Sequence, residues 1–150
     1  MRISSSFDIS ASALTAQRLR MDVVSSNIAN AETTRAQVVN GEAVPYRRKE
    51  VVLSTNKPSF ADTLDSAMNG SRSGINGVKA SAIQEDQEPF KLVYNPTHPD
   101  ADKDGYVKMP NVDNLKEMVD MISASRSYEA NVTALNASKA MITKALQIGK

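Results

Sequence analysis

Residues 100–111, DADKDGYVKMPN, carry the side chains that bind a hard cation. Asp100, Asp102 and Asp104 alternate and Gly105 follows, which is the first half of a D-x-D-x-D-G calcium loop. Val107 stands where such loops place an apolar residue. The second half fails. The twelfth position, which needs a bidentate Glu, is Asn111; Pro110 precedes it, and NPTHP (95–99) cannot form the leading helix. The pattern therefore favours an acidic turn between two strands, with Gly105 at positive φ. His98 is the sole histidine and sits between two prolines. The chain has no cysteine, so thiolate metal sites and disulfides are excluded, and one imidazole does not make a usual zinc site. No G-x-S-x-G, G-x-G-x-x-G or G-x-x-x-x-G-K-[ST] occurs. Arg47, Arg48 and Lys49 form a short basic run beside Glu50. That run reads either as a solvated strand edge or as a dock for an acidic neighbour. No catalytic residue, cofactor or metal is expected.

The elements that would position these residues fall into three regions. From about Ile9 to Ala31 apolar residues recur at helical spacing, with Leu14, Met21, Val24 and Ile28 on one stripe. No Gly or Pro interrupts the run, and Asp8 or Ser10 would cap its start. Residues 32–110 hold all six prolines and five of the six glycines. Here 43–53, 78–86, 89–96 and 106–110 read as strands, with a tight hairpin turn at Gln87–Glu88. Residues 54–77 read as a Ser/Asn/Gly-rich loop with one short helix around Phe60–Met68.

From Asn111 onward the pattern is helical, about 36 residues and roughly 54 Å long. Asn114 with Glu117 fits a capping box, and Asn111 or Asp113 would serve as alternative caps. A heptad-like seam runs through Met118, Met121, Tyr128 and Val132 and continues through Leu135, Ile142 and Leu146, with polar breaks at Ser125 and Lys139. A second stripe of Ala130, Ala134, Ala137, Met141, Ala145 and Ile148 lies beside it. A helix that long exceeds the ~15 Å radius of gyration of a compact chain of this size. Two apolar stripes on it call for more than one partner: the N-terminal helix and neighbours from other chains.

Composition narrows the function further. Eighteen basic residues oppose 17 acidic ones, a net charge of +1, which gives no electrostatic case for nucleic acid or an anionic membrane. With three Phe, four Tyr and no Trp, the core must be thin and aliphatic. No apolar run approaches the ~20 residues of a membrane span. The N-terminal stretch MRISSSFDIS has no apolar h-region, so any export is expected to use a route other than a conventional cleaved signal. The expected fold class is α+β: long N- and C-terminal α-helices paired as an antiparallel coiled-coil-like core, with a small β-rich insert. In domain terms, 1–36 plus 111–150 would form the helical core and 37–110 the β-rich middle.

LTAQRLRMDVVSSNIANAETT (14–34) resembles the N-terminal signature of the bacterial flagellar rod and hook family, a helix with an S-N-N-I-A-N-x-x-T ending. Ser25, Asn27, Ile28, Ala29, Asn30 and Thr33 match it; Ser26 and Glu32 depart where Asn is usual. PYRRKEVV (45–52), GVKA (77–80), KLVYNPTHPDADKDGYVKMPNV (91–112) and EMVDMISASRSYEANVTALNASKAM (117–141) are similar to proximal-rod members of that family. Residues 54–76 have no clear match.

The resemblance implies a structural subunit of a hollow, torque-transmitting rod around an export channel. Its partners would be copies of itself and other rod proteins, an adaptor linking the rod base to the membrane ring and export gate, and the flagellar type III export apparatus, with no nucleic acid and no small-molecule substrate. It would lie in the basal body, crossing the periplasm, exported without a cleaved signal. Asn27 and Asn30 would bond orphan carbonyls and a neighbouring subunit, setting register; otherwise Asn30 merely ends the helix and Asn27 faces solvent. A thin core would leave both termini partly disordered before assembly. The competing readings are a hook or distal-rod subunit, a calcium module on the 100–105 turn, and a soluble helical adaptor or chaperone.

Overall fold

The computed structural model describes residues 3–39, 42–56, 60, 64, 67–68 and 77–148. Helix α1 spans Ile3–Ala29 and helix α2 spans Asn114–Ile148, 35 residues. Between them run six short strands: β1 (Gln37–Val39), β2 (Glu42–Val44), β3 (Lys49–Thr55), β4 (Val78–Glu85), β5 (Lys91–Tyr94) and β6 (Tyr106–Met109). They form three two-stranded ladders, β1–β2, β3–β4 and β5–β6. The class is α+β, as expected.

The helix boundaries differ from the expectation in two places. α1 begins at Ile3, so Asp8 and Ser10 lie inside it and cap nothing. Residues 3–8, ISSSFD, contain no Gly or Pro to stop the helix from extending. Within it, the Ser12 and Thr15 hydroxyls donate back to the carbonyls of Ile9 (2.7 Å) and Ala11 (3.0 Å), which keeps these polar side chains satisfied in a helix. α2 is capped by Asp113, one of the expected alternatives: its carboxylate accepts the Leu115 amide at 3.0 Å and its carbonyl accepts the Glu117 amide at 2.9 Å. The capping box from Asn114 to Glu117 does not form, because the Glu117 side chain is engaged elsewhere.

The strand regions also differ. The expected strand 43–53 is broken at Pro45, which has no N–H for a ladder, so residues 45–48 cross without pairing. β1 and β2 form an antiparallel hairpin with Val38 opposite Ala43. The hairpin at Gln87–Glu88 does not exist: β4 pairs with β3, and β5 with β6 in the register Lys91↔Met109 to Tyr94↔Tyr106. Asp86 ends the β3–β4 ladder by donating its amide to Arg48 O (2.8 Å) and accepting the Glu88 amide (3.0 Å), which turns the chain away. The short helix expected around Phe60–Met68 falls largely outside the described residues; Phe60, Leu64, Ala67 and Met68 are helical.

The chain divides into two compact units. One comprises Met1–Leu19, Val52–Ala82 and Ala124–Lys150; the other comprises Arg20–Val51 and Ile83–Ser123. The second unit has the denser interior. Val23, Val24, Tyr46, Val107 and Val112 are buried there, together with Asn27, Arg48, Asn111 and Glu117. In the first, the buried described side chains are small: Ser10, Ala16 and Ala124. There Val78 donates its amide to Ser12 Oγ at 3.1 Å, and a Cβ on Gly77 would sit 2.5 Å from that same oxygen. Gly77 is therefore required by close approach to α1.

Candidate functional site

The Arg20–Val51 and Ile83–Ser123 unit is organised around a polar junction rather than an oily core. Its centre is Asn27, in the last turns of α1, with no exposed surface. Asn27 Nδ2 donates to Lys49 O and to Glu117 Oε2, both at 2.9 Å; Oδ1 accepts from Tyr46 Oη at 2.9 Å and from the Lys49 amide at 3.0 Å. An amide side chain has two N–H donors and room for two acceptor bonds, and all four are filled. One residue therefore joins α1 to the extended segment entering β3 and to the first turn of α2.

Glu117 is also fully buried. Its Oε2 takes Asn27 and its Oε1 takes Arg48 Nε at 2.6 Å. The Arg48 guanidinium also donates to Asp86 Oδ2 at 3.0 Å and to Glu50. Asn111 completes the junction: its Oδ1 accepts the Arg48 amide at 2.8 Å and its Nδ2 donates to Glu88 O at 3.3 Å. Burial alone would pull the Arg48 pKa down, but the hydrogen bonds to Glu117, Glu50 and Asp86 raise it above its ordinary value, so it stays charged. Asp86 is held below the usual carboxylate range, first by the Glu88 amide and then by Arg48. Around this centre, Arg20 meets Asp120 at 3.2 Å and Lys91 Nζ donates to Val112 O at 2.7 Å. Asn27 meets Glu117 while Arg20, seven residues earlier, meets Asp120, three residues later. The two helices therefore run in opposite directions through this unit.

The turn after α1 has its own chemistry. Asn30 donates its amide (3.1 Å) and its Nδ2 (2.9 Å) to Ser26 O, and its Oδ1 accepts from Thr33 Oγ1 at 3.3 Å. It closes the helix end locally. Beyond it, Thr34 Oγ1 donates to Asp100 at 2.9 Å and Arg35 pairs with the same carboxylate. The Arg35 hydrogen bond, then that of Thr34, lowers the Asp100 pKa. Asp100 is thus engaged by Thr34 and Arg35 of its own chain. Among the described residues no three acidic or imidazole side chains converge on a metal position. Gly105 has φ +78°, and a Cβ there would lie 3.0 Å from the Tyr94 ring. His98 Nδ1 accepts the Asp100 amide at 3.1 Å. The 100–105 segment is a turn built for β5–β6.

Nothing in this arrangement presents a nucleophile beside a base. It is a joint that holds two helix ends and a strand entry in one register. Two family profiles match the chain, one over each helical end. The profile described as flagella basal body rod protein covers residues 7–37, and that described as flagellar basal body rod FlgEFG protein C-terminal covers 103–148. The flagellar basal-body rod protein FlgC of Bacillus subtilis (strain 168) is 64% identical over 97% of this chain and 97% of its own. The FlgC protein of Escherichia coli O157:H7 is 47% identical over 100% of both chains, and that of Borreliella burgdorferi is 43% identical over 99% of this chain and 98% of its own.

The chain belongs to the FlgC family of flagellar basal-body rod proteins. It is a structural subunit of the rod in the flagellar basal body, and not an enzyme.

In this FlgC-family chain the residues expected at a helix-packing interface are dispersed. Val24 is buried; Leu14, Met21 and Ile28 on α1 are half-buried. The buried line of α1 runs through Ala16, Val23 and Asn27, partly displaced from the expected stripe, because a satisfied amide occupies its most buried position. On α2, Met121, Tyr128, Val132, Leu135 and Ile142 are half-buried, whereas Met118 is 50% and Leu146 71% exposed. Asn27 neither faces solvent nor has a bond left for a neighbour, and Asn30 ends the helix. The basic run divides by role: Arg48 docks on Glu117, Arg47 lies 4.6 Å over the Phe90 ring, and Lys49 is exposed. Glu117, Arg48, Tyr46, Asn111 and Asp86 were not legible as a site. The usable signal was Tyr46 and Arg48, two apart on one face of an extended segment; no local pattern names Glu117.

Proposed function

We propose that this chain polymerises through its terminal helices into the proximal part of a hollow drive shaft that transmits torque and surrounds the export channel. The observation that carries this is the apolar surface that α2 leaves exposed. Leu115, Val119 and Ile122 share one face near the helix start and are 55–76% exposed, and Met141 and Leu146 near its end are 66% and 71% exposed. A monomer that leaves this much apolar surface in water presents it for neighbours. In this reading the helical regions 1–36 and 111–150 pack against copies of the same chain and against other rod proteins, through the seam from Met118 to Leu146 and the α1 stripe Leu14, Met21, Val24 and Ile28. The β-rich region 37–110 faces outward. An adaptor at the rod base, next to the membrane ring and export gate, is the further partner. The subunit reaches its place across the periplasm through the flagellar type III export apparatus, without a cleaved signal.

The junction at Asn27 supports this reading by holding the two helix ends at a set register, so that each subunit offers its neighbours one geometry. Amide hydrogen exchange tests it on α1 and α2, in dilute monomer and in purified basal bodies. The expected result is fast exchange in the distal parts of both helices in the monomer and strong protection in the particle. Equal exchange in the two states would overturn polymerisation through these helices.

A further inference from the structure

The unit Arg20–Val51 plus Ile83–Ser123 exposes two separate apolar faces. The first is the outer side of the first turns of α2: Leu115 (76% exposed), Met118 (50%), Val119 (67%) and Ile122 (55%), at i, i+3, i+4 and i+7. The second is one face of the β5–β6 ribbon. The antiparallel register puts Leu92 beside Lys108 and Tyr94 beside Tyr106 on that face. Leu92 and Tyr94 are 64% and 65% exposed, and the two tyrosine rings meet edge-on at 5.3 Å. On the ribbon's opposite face Val107 is buried and Lys91 reaches Val112 O, while Val93 is 48% exposed.

The two exposed faces differ in shape. The helix face is a ridge with exposed Lys116 beside it, and the ribbon face is flat, with exposed Lys108 on it and exposed Asp102, Lys103 and Asp104 in the turn at its end. Each face is on the order of 300–400 Å², the scale at which a patch on a monomer is functional. One ridge-on-ribbon contact would bury about 700 Å² in total, below the ~1,200 Å² of the smallest stable pairs. A lone dimer would not persist, but a subunit using both faces at once would be held on two sides. Contacts between two different faces do not close on a pair; they propagate.

We propose that the Leu115–Ile122 ridge of one copy docks on the Leu92–Tyr94–Tyr106 face of a second copy, a head-to-tail contact that sets how FlgC-family subunits follow one another. This rests on the reading of the chain as a polymerising rod subunit. The native chain has no cysteine, so site-directed thiol crosslinking has no background. Basal bodies are purified from cells carrying Ile122→Cys and Leu92→Cys in one chain, and treated with a short bismaleimide.

The expected result is a ladder of covalent multimers of this chain, several-fold above either single variant and above an Ile122→Cys/Glu42→Cys control. A mixture of the two single variants should give a mixed dimer and neither homodimer. A homodimer of Ile122→Cys alone would overturn the proposal in favour of a symmetric contact. Crosslinks only to a protein of different mass would overturn it in favour of another rod protein. No crosslink, with the chain present in the particles, would overturn the docking and leave the rod reading standing. Absence of the wild-type chain from basal bodies would overturn both. Should the first double variant not be incorporated, Val119→Cys with Tyr106→Cys makes the same test.

Discussion

The two compact units hold themselves together in different ways. The Arg20–Val51 and Ile83–Ser123 unit buries an ion pair, two asparagines and a tyrosine whose polar atoms are matched one to one. In the unit of Met1–Leu19, Val52–Ala82 and Ala124–Lys150, the buried described side chains are only Ser10, Ala16 and Ala124. The first arrangement is directional: hydrogen bonds at 2.6–3.0 Å admit one register. The second is shallow and tolerant, because small side chains and half-buried seam residues gain little from any one alignment. A subunit built this way has its register set within itself at one place and leaves helix surface for others to cover.

Breaking the junction should have the largest effect. Glu117→Ala leaves the Arg48 guanidinium buried without its fully buried carboxylate partner and removes a bond from Asn27. The expected cost is about 3–5 kcal/mol, seen as a lower urea midpoint by tyrosine fluorescence. Three of the four tyrosines (Tyr46, Tyr94 and Tyr106) lie in this unit. A cost under ~1 kcal/mol would mean that the junction is not what holds it. Gly105→Ala comes next, at about 1–3 kcal/mol, since it combines a left-handed φ with a Cβ 3.0 Å from Tyr94; the same denaturation reads it. On the other side of the comparison, Leu135→Ala in the half-buried seam should cost only about 1 kcal/mol in the monomer, below the ~2–5 of a core leucine. Its effect should appear instead in recovery of the chain with basal bodies. If it cost as much as Glu117→Ala in dilute monomer, the contrast between the units would fail.

The smallest effect is acid sensitivity. Asp86 and Asp100 have pKa values below those of unfolded carboxylates, so their contribution is full above about pH 4 and is lost as pH falls through the folded values. The urea midpoint should be flat from pH 8 to pH 5 on their account and decline below about 4. A decline between pH 7 and 5 would point to another group.

Much of the architecture was legible in the residues alone. Helical periodicity without Gly or Pro marked α1 and α2, and the clustering of Pro and Gly between them marked the strand-rich middle. Gly105 announced a turn of positive φ. The errors share one cause. An apolar criterion placed the buried stripe of α1 through Leu14, Met21, Val24 and Ile28; of these Val24 is buried, while Asn27, expected to bond a neighbouring subunit, is the residue with no exposure. The strand pairing was misassigned for a related reason. Proximity along the chain favours a β4–β5 hairpin, but Asp86 is captured by Arg48 and Glu88 and the ladder stops there.

By itself, then, the sequence determined the α+β class, the long terminal helices, the acidic turn and, through its resemblance, the family. Periodicity and backbone chemistry act over a few residues and can be read locally. Only the tertiary structure decided that Arg48 is buried while Arg47 and Lys49 are not, and that Glu117 caps nothing and pairs with a residue 69 positions away. Only there does Asn27 use every bond it can make within its own chain. A buried polar group is tolerated where its partners converge, and that convergence exists only once the chain has folded.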